Sequence, residues 1–167
     1  MTRYLDTKTT NPGITKWSDS QRRNLQTQIL GLLSTVFVRL SHQARTSSDV
    51  YPSLNRFISH IIEESRQPTN SRVDISRELN SILHASLNLT LHIAELGPTP
   101  KKILASKGVF SHLLNLVTDL NQSSWVISKC LVICSSLCQG IKANKQIFGD
   151  LHGVKAVIPY LRYYLFH

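Results

Sequence analysis

A chain of 167 residues is long enough to bury a core of its own, as one domain or as a few stacked repeats. Nineteen Lys and Arg against ten Asp and Glu leave it at +9, a balance that suits an acidic partner. The charge is dispersed, densest at Arg22–Arg23, at Lys101–Lys102 and at Lys142 with Lys145. No aromatic platform or glycine-rich loop lies among these residues, so nucleic acid is the weaker reading.

Residues 1–17, with "TKTTNPG", read as a loop-like tail without sustained periodicity, and 18–167 as one helical repeat domain. Ser18 and Gln21 have capping-box spacing ahead of a helix whose apolar face is Leu25, Ile29, Leu32, Leu33, Val36, Phe37 and Leu40. Asp49 can cap a second helix carrying Leu54, Phe57, Ile58, Ile61 and Ile62, with Pro52 in its first turn. A third runs from Arg72 to Leu96 and is stopped by Gly97 and Pro98. Thr99 then caps a short helix that has Pro100 in first place and ends at Gly108. "VFSHLLNLVTDL" makes a helix of about three turns, "NQSS" leads into "WVISKCLVICSSLC", and Gly140 ends that one. "ANKQIFGDLHG" and "VKAVIPYLRYYLFH" complete the chain. β-Branched residues keep helical spacing throughout, so the expected class is all-α.

The pattern recurs. "HASLNLTLHIAEL" (84–96) matches "WVISKCLVICSSL" (125–137), placing His84 over Trp125, Asn88 over Lys129 and Leu96 over Leu137. With small insertions at the turn, Gly108 falls over Gly153, Val109 over Val154, Leu113 over Ile158 and Leu116 over Leu161. A spacing of about 41–45 residues is that of helical solenoids. On these residues the chain resembles the armadillo family, "NKQIFGDLHGVKAVIPYL" and "PKKILASKGVFSHLLNLV" having its short helix, glycine and apolar second helix. The resemblance covers about 70–167 and implies an α-α superhelix of two to three repeats. Pro159 departs from it and is expected to kink or delay the last helix.

In family members that carry nuclear cargo, the third helix presents a Trp and, four residues on, an Asn. Here the rows are Trp125 with Lys129 and His84 with Asn88, so neither has both, and a lysine would repel a basic peptide. The resemblance instead implies a non-catalytic scaffold that binds a protein on its third-helix face, through Asn80, His84, Asn88, Trp125, Lys129 and Ser136. Its texture is similar to that of large armadillo-like scaffolds of centrioles and cilia. The alternative is a basic helical module for nucleic acid or an anionic membrane surface.

Cys130, Cys134 and Cys138 form one stripe of a helix. Leu89 and Ile93 stand over the first two, and no second ligand pair accompanies them, so they read as packing and no metal or cofactor is expected. Seven histidines occur without HExxH or HxH spacing, and no GxSxG or phosphate loop is present, so no catalytic residue is assigned. Three clustered cysteines and a polar N-terminal stretch point to a reducing, cytoplasmic setting, and no apolar run reaches the roughly 18 residues of a membrane span. The last turns, "YLRYYLFH", are apolar on nearly every side. They call for a cover, whether further repeats, another subunit or a partner's helix.

Overall fold

The computed structural model describes residues 18–39, 73–106, 108–119 and 121–166, together with the isolated helical positions 56, 59, 60 and 63. The tail at 1–17 and most of the second expected helix lie outside the described residues. Seven helices are laid out among the described residues, with no strand: α1 (Asp19–Arg39), α2 (Val73–Glu95), α3 (Pro98–Ser106), α4 (Val109–Thr118), α5 (Ser124–Cys138), α6 (Lys142–Asp150) and α7 (Gly153–Phe166). By contacts the chain divides between His92 and Ile93 into two compact units, taken here in turn.

In the first unit, α1 starts with the expected capping box. The Ser18 amide donates to Gln21 Oε1 at 2.9 Å, and the Gln21 amide donates to Ser18 Oγ at 3.2 Å. The buried side of α1 differs in part from the expected one. Leu30 is fully enclosed, whereas Leu32 and Val36 are exposed. Apolar residues occur all round this helix, so their spacing alone does not choose the face. The choice goes with Arg23, whose Nε donates to Glu78 Oε2 of α2 at 2.8 Å, and with Ser20, whose hydroxyl donates to the other carboxylate oxygen. Residues 23, 25, 26, 27, 29, 30, 33 and 34 are the buried or half-buried positions of α1, so Leu25, Ile29 and Leu33 of the expected face stay partly shielded. Along α2 burial is broad, taking in Leu79, Ile82, Leu83, Ser86, Leu87, Leu89 and Thr90. Such a wide apolar arc belongs to a helix enclosed on more than one side.

In the second unit, α3 begins at Pro98 instead of behind a Thr99 cap. The Lys101 amide donates to the Gly97 carbonyl at 3.4 Å and closes the first turn there. Both prolines fit, because first-turn N–H groups have no helical acceptor to lose. α5 packs against α3 and α4, α6 against α3 and α5, and α7 against α4 and α6. The interior holds Leu104, Val109, Phe110, Leu113, Leu116, Val117, Cys130, Ile133 and Leu137. Each such aliphatic or aromatic side chain contributes about 1.5–3 kcal/mol on burial. Two side chains tie the helices through polar contacts. Asn144 Nδ2 donates to the carbonyls of Leu137 and Lys101, and the Tyr160 hydroxyl donates to the Val117 carbonyl.

The offset between like helices differs by one residue from the 45 expected between Gly108 and Gly153. α3 and α6 are each nine residues long, and their starts, Pro98 and Lys142, lie 44 residues apart, as do Val109 and Gly153 at the starts of α4 and α7. Gly108 therefore corresponds to His152. Both sit in the left-handed region, at φ 86° and 57°, and their amides donate to the carbonyls of Ala105 and Gly149 three residues back. Gly153 takes the place of Val109, and space is its reason for being glycine: a Cβ there would meet the Phe148 ring at 2.5 Å. Pro159 delays nothing, since α7 runs through it. It removes the N–H that the Lys155 carbonyl would accept, on an exposed stretch within reach of water.

Candidate functional site

α5 is set up by Ser123, whose hydroxyl accepts from the Val126 amide at 3.4 Å. At its other end the Gln139 amide donates back to the Ser135 and Ser136 carbonyls, and Gly140 leaves in the left-handed conformation at φ 75°. Its buried side is Val126, Cys130, Ile133, Cys134 and Leu137. The side next to it carries Trp125, Lys129 and Ser136, which helical geometry sets in one narrow stripe with Val132. Trp125 is 37% exposed and Val132 49%. The Lys129 ammonium lies 5.5 Å from the Trp125 ring centroid, a cation–π arrangement. Val132 was not among the residues expected on this face, although its three-residue step from Lys129 and four-residue step to Ser136 were readable.

Asn80, His84 and Asn88 occupy a corresponding stripe of α2, in the first unit. Asn80 is exposed, and His84 and Asn88 are half-buried. Each row is thus a partly accessible strip of mixed polar and apolar residues, ending at Leu91 in α2 and taking in Trp125 and Val132 in α5.

The cysteines sit largely on the far side of α5. Cys130 and Cys134 are buried, and Cys138 is half-buried. Burial pushes the Cys130 thiol up to about 12. It pushes Cys134 up as well, with the neighbouring thiols adding to the effect. Cys138 is also raised by burial, against an opposing pull from Lys145. A thiol held protonated at neutral pH is a poor ligand and a poor nucleophile. The described histidines are scattered, and among the described residues no three of His, Cys, Asp or Glu come close enough to hold a metal ion. His42 and His167 lie outside the described residues. No described helix is long and apolar enough to cross a membrane.

Two open depressions mark the second unit. One, of about 440 Å³, lies between α4 and α7 and is lined by Leu114, Thr118, Lys155 and Pro159 among others. The other, of about 500 Å³, lies between α5, α6 and α7 over Leu131, Cys134, Phe148 and Ile158. No protein-family model matches the chain, and no curated protein or solved structure matches it significantly.

Proposed function

We propose that this chain is a non-catalytic protein-interaction scaffold built from armadillo-like helical repeats, with a protein partner seated on the third-helix face. Trp125 carries the reading. A tryptophan more than a third exposed, steadied by Lys129 and followed on the same stripe by an exposed Val132, has the makeup of an interface anchor with an apolar neighbour and a polar surround. Ser136 extends the strip, and Asn80, His84 and Asn88 are the matching positions one repeat earlier. The repeat itself is supported by the two nine-residue helices, each followed by a left-handed turn residue and a longer helix, at a step of 44 residues. Lys129 on this face and the overall charge of +9 favour a partner with acidic character. Three thiols kept reduced suit the cytoplasm, and centrosome or cilium are where the scaffolds it resembles work.

The test is quantitative affinity capture from cell extract with the wild-type chain, Trp125→Ala and Val132→Asp, at low and raised salt. Proteins retained by the wild type and lost from both variants, with unchanged thermal melts, are the expected result. Capture that ignores both substitutions would overturn the reading. Retained material that is nucleic acid or anionic lipid, released steeply by salt, would replace it with the basic-module alternative.

A further inference from the structure

The second unit offers one position twice, once covered and once open. In the 44-residue register set by the starts of α3 and α6, Phe110, Leu114 and Val117 of α4 correspond to Val154, Ile158 and Leu161 of α7. The first three are 0%, 6% and 0% exposed. They are shielded by the two helices that follow: the Phe110 ring meets Phe148 of α6 edge-on at 5.4 Å, and Tyr160 of α7, which packs against α4, reaches the Val117 carbonyl. Their counterparts are 62%, 40% and 56% exposed. Steps of four and three residues put them in one stripe of α7. With Leu131, Cys134 and Phe148 they wall the open groove of about 500 Å³.

The shape and the chemistry together select an occupant. A groove along a helix with apolar side chains one turn apart matches the apolar side of another helix, whose anchors recur at the same steps. Among the described residues Lys145 is the one charged residue lining the groove, and no carboxylate lines it. A second copy of this +9 chain meeting the groove about a twofold axis would bring Lys145 towards Lys145, a like-charge contact. An incoming carboxylate would find a partner there. We propose that this groove docks an amphipathic helix of a partner protein, apolar towards Val154, Ile158 and Leu161 and carrying Asp or Glu beside Lys145. The surface is separate from the third-helix face, since neither Trp125 nor Lys129 lines it.

The test uses the full chain and two labelled synthetic helical peptides of eighteen residues. Both carry leucines at alternating steps of three and four; one has glutamates and the other lysines at the flanking positions. Fluorescence anisotropy should show the glutamate peptide binding at least tenfold more tightly than the lysine peptide. Ile158→Glu should weaken the glutamate peptide at least tenfold, Lys145→Glu should reverse the preference, and Trp125→Ala should leave both unchanged. The substituted side chains are exposed or at the rim, and thermal melts confirm the fold of each variant. Equal binding of the two peptides, no binding of either, or indifference to Ile158→Glu would overturn the proposal. So would a dimer in sedimentation that Ile158→Glu dissociates, which would assign the groove to a second copy.

Discussion

Asn144 Nδ2 donates to the Leu137 carbonyl at 2.8 Å from a side chain that is 1% exposed, and the same amide donates to the Lys101 carbonyl at 3.1 Å. One residue of α6 thereby serves the C-terminal end of α5 and the first turn of α3. The last carbonyls of a helix have no helical donor, so removing the amide strands the Leu137 carbonyl, whereas the Lys101 carbonyl, in a first turn, keeps the helical amide four residues on.

Asn144→Ala is expected to cost about 1–3 kcal/mol in urea unfolding, the penalty of the one buried acceptor, the Leu137 carbonyl, left without a donor. Asn144→Asp should cost more, because a carboxylate cannot donate and would be buried as a charge. An alanine variant within about 0.5 kcal/mol of the wild type, the range of an ordinary surface change, would show the tie to be incidental.

Gly153 and His152 should answer in opposite directions. Gly153→Ala forces a Cβ into the Phe148 ring and is expected to lose about 1–3 kcal/mol in thermal melts, partly recovered when Phe148→Leu makes room. His152→Gly relieves a side chain held at φ 57° and should gain about 0.5–1 kcal/mol. Equal losses at both positions would mean that the assigned reasons are wrong.

The thiols should react in order of exposure. Under native conditions at pH 8, iodoacetamide is expected to reach Cys138 first and slowly, with Cys130 and Cys134 modified only on unfolding. Peptide mapping by mass spectrometry reads the order directly. Early labelling of Cys130 would contradict its burial.

The pairing of α1 with α2 should weaken in acid. Hydrogen bonds from Ser20 and then Arg23 hold the Glu78 carboxyl below its ordinary value of 4.5. The folded state therefore resists the proton that the unfolded chain accepts. This stabilisation is present above the ordinary carboxyl value and disappears as pH falls through the lower folded one. Hydrogen exchange along α1 should accelerate across that range below 4.5, and Glu78→Gln should remove the step. An unchanged pH profile in the glutamine variant would exclude Glu78 as its source.

The order of the described helices and the cysteine stripe were legible because both follow from local spacing: apolar residues at helical steps, Gly97, Gly108 and Gly140 at breaks, and Leu89 and Ile93 above the first two cysteines. The capping box at Ser18 was readable for the same reason. What escaped depended on partners distant in sequence. Leu30 replaces Leu32 on the buried side of α1, where Arg23 engages Glu78 fifty-five residues away. The turn register slipped because glycine was matched to glycine, whereas the left-handed position is filled by His152 and Gly153 yields space to Phe148. Asn144 carried no local signal, since an asparagine within a short polar helix ordinarily faces water. Trp125 was readable as a candidate anchor, but the lysine over its ring and the exposed Val132 beside it emerge only from the geometry of the folded helix.

The side-chain ties made by Asn144 and Tyr160 each end on a main-chain oxygen 43 residues earlier, at Lys101 and Val117. A carbonyl is supplied by every amino acid, so the receiving positions accept nearly any residue that keeps the helix, while the donating positions tolerate few. Mutational drift should therefore be lopsided along this chain. Saturation libraries would retain folded variants widely at Lys101 and sparingly at Asn144, and two descendants of such a sequence could diverge at most receiving positions while keeping the same skeleton of bonds.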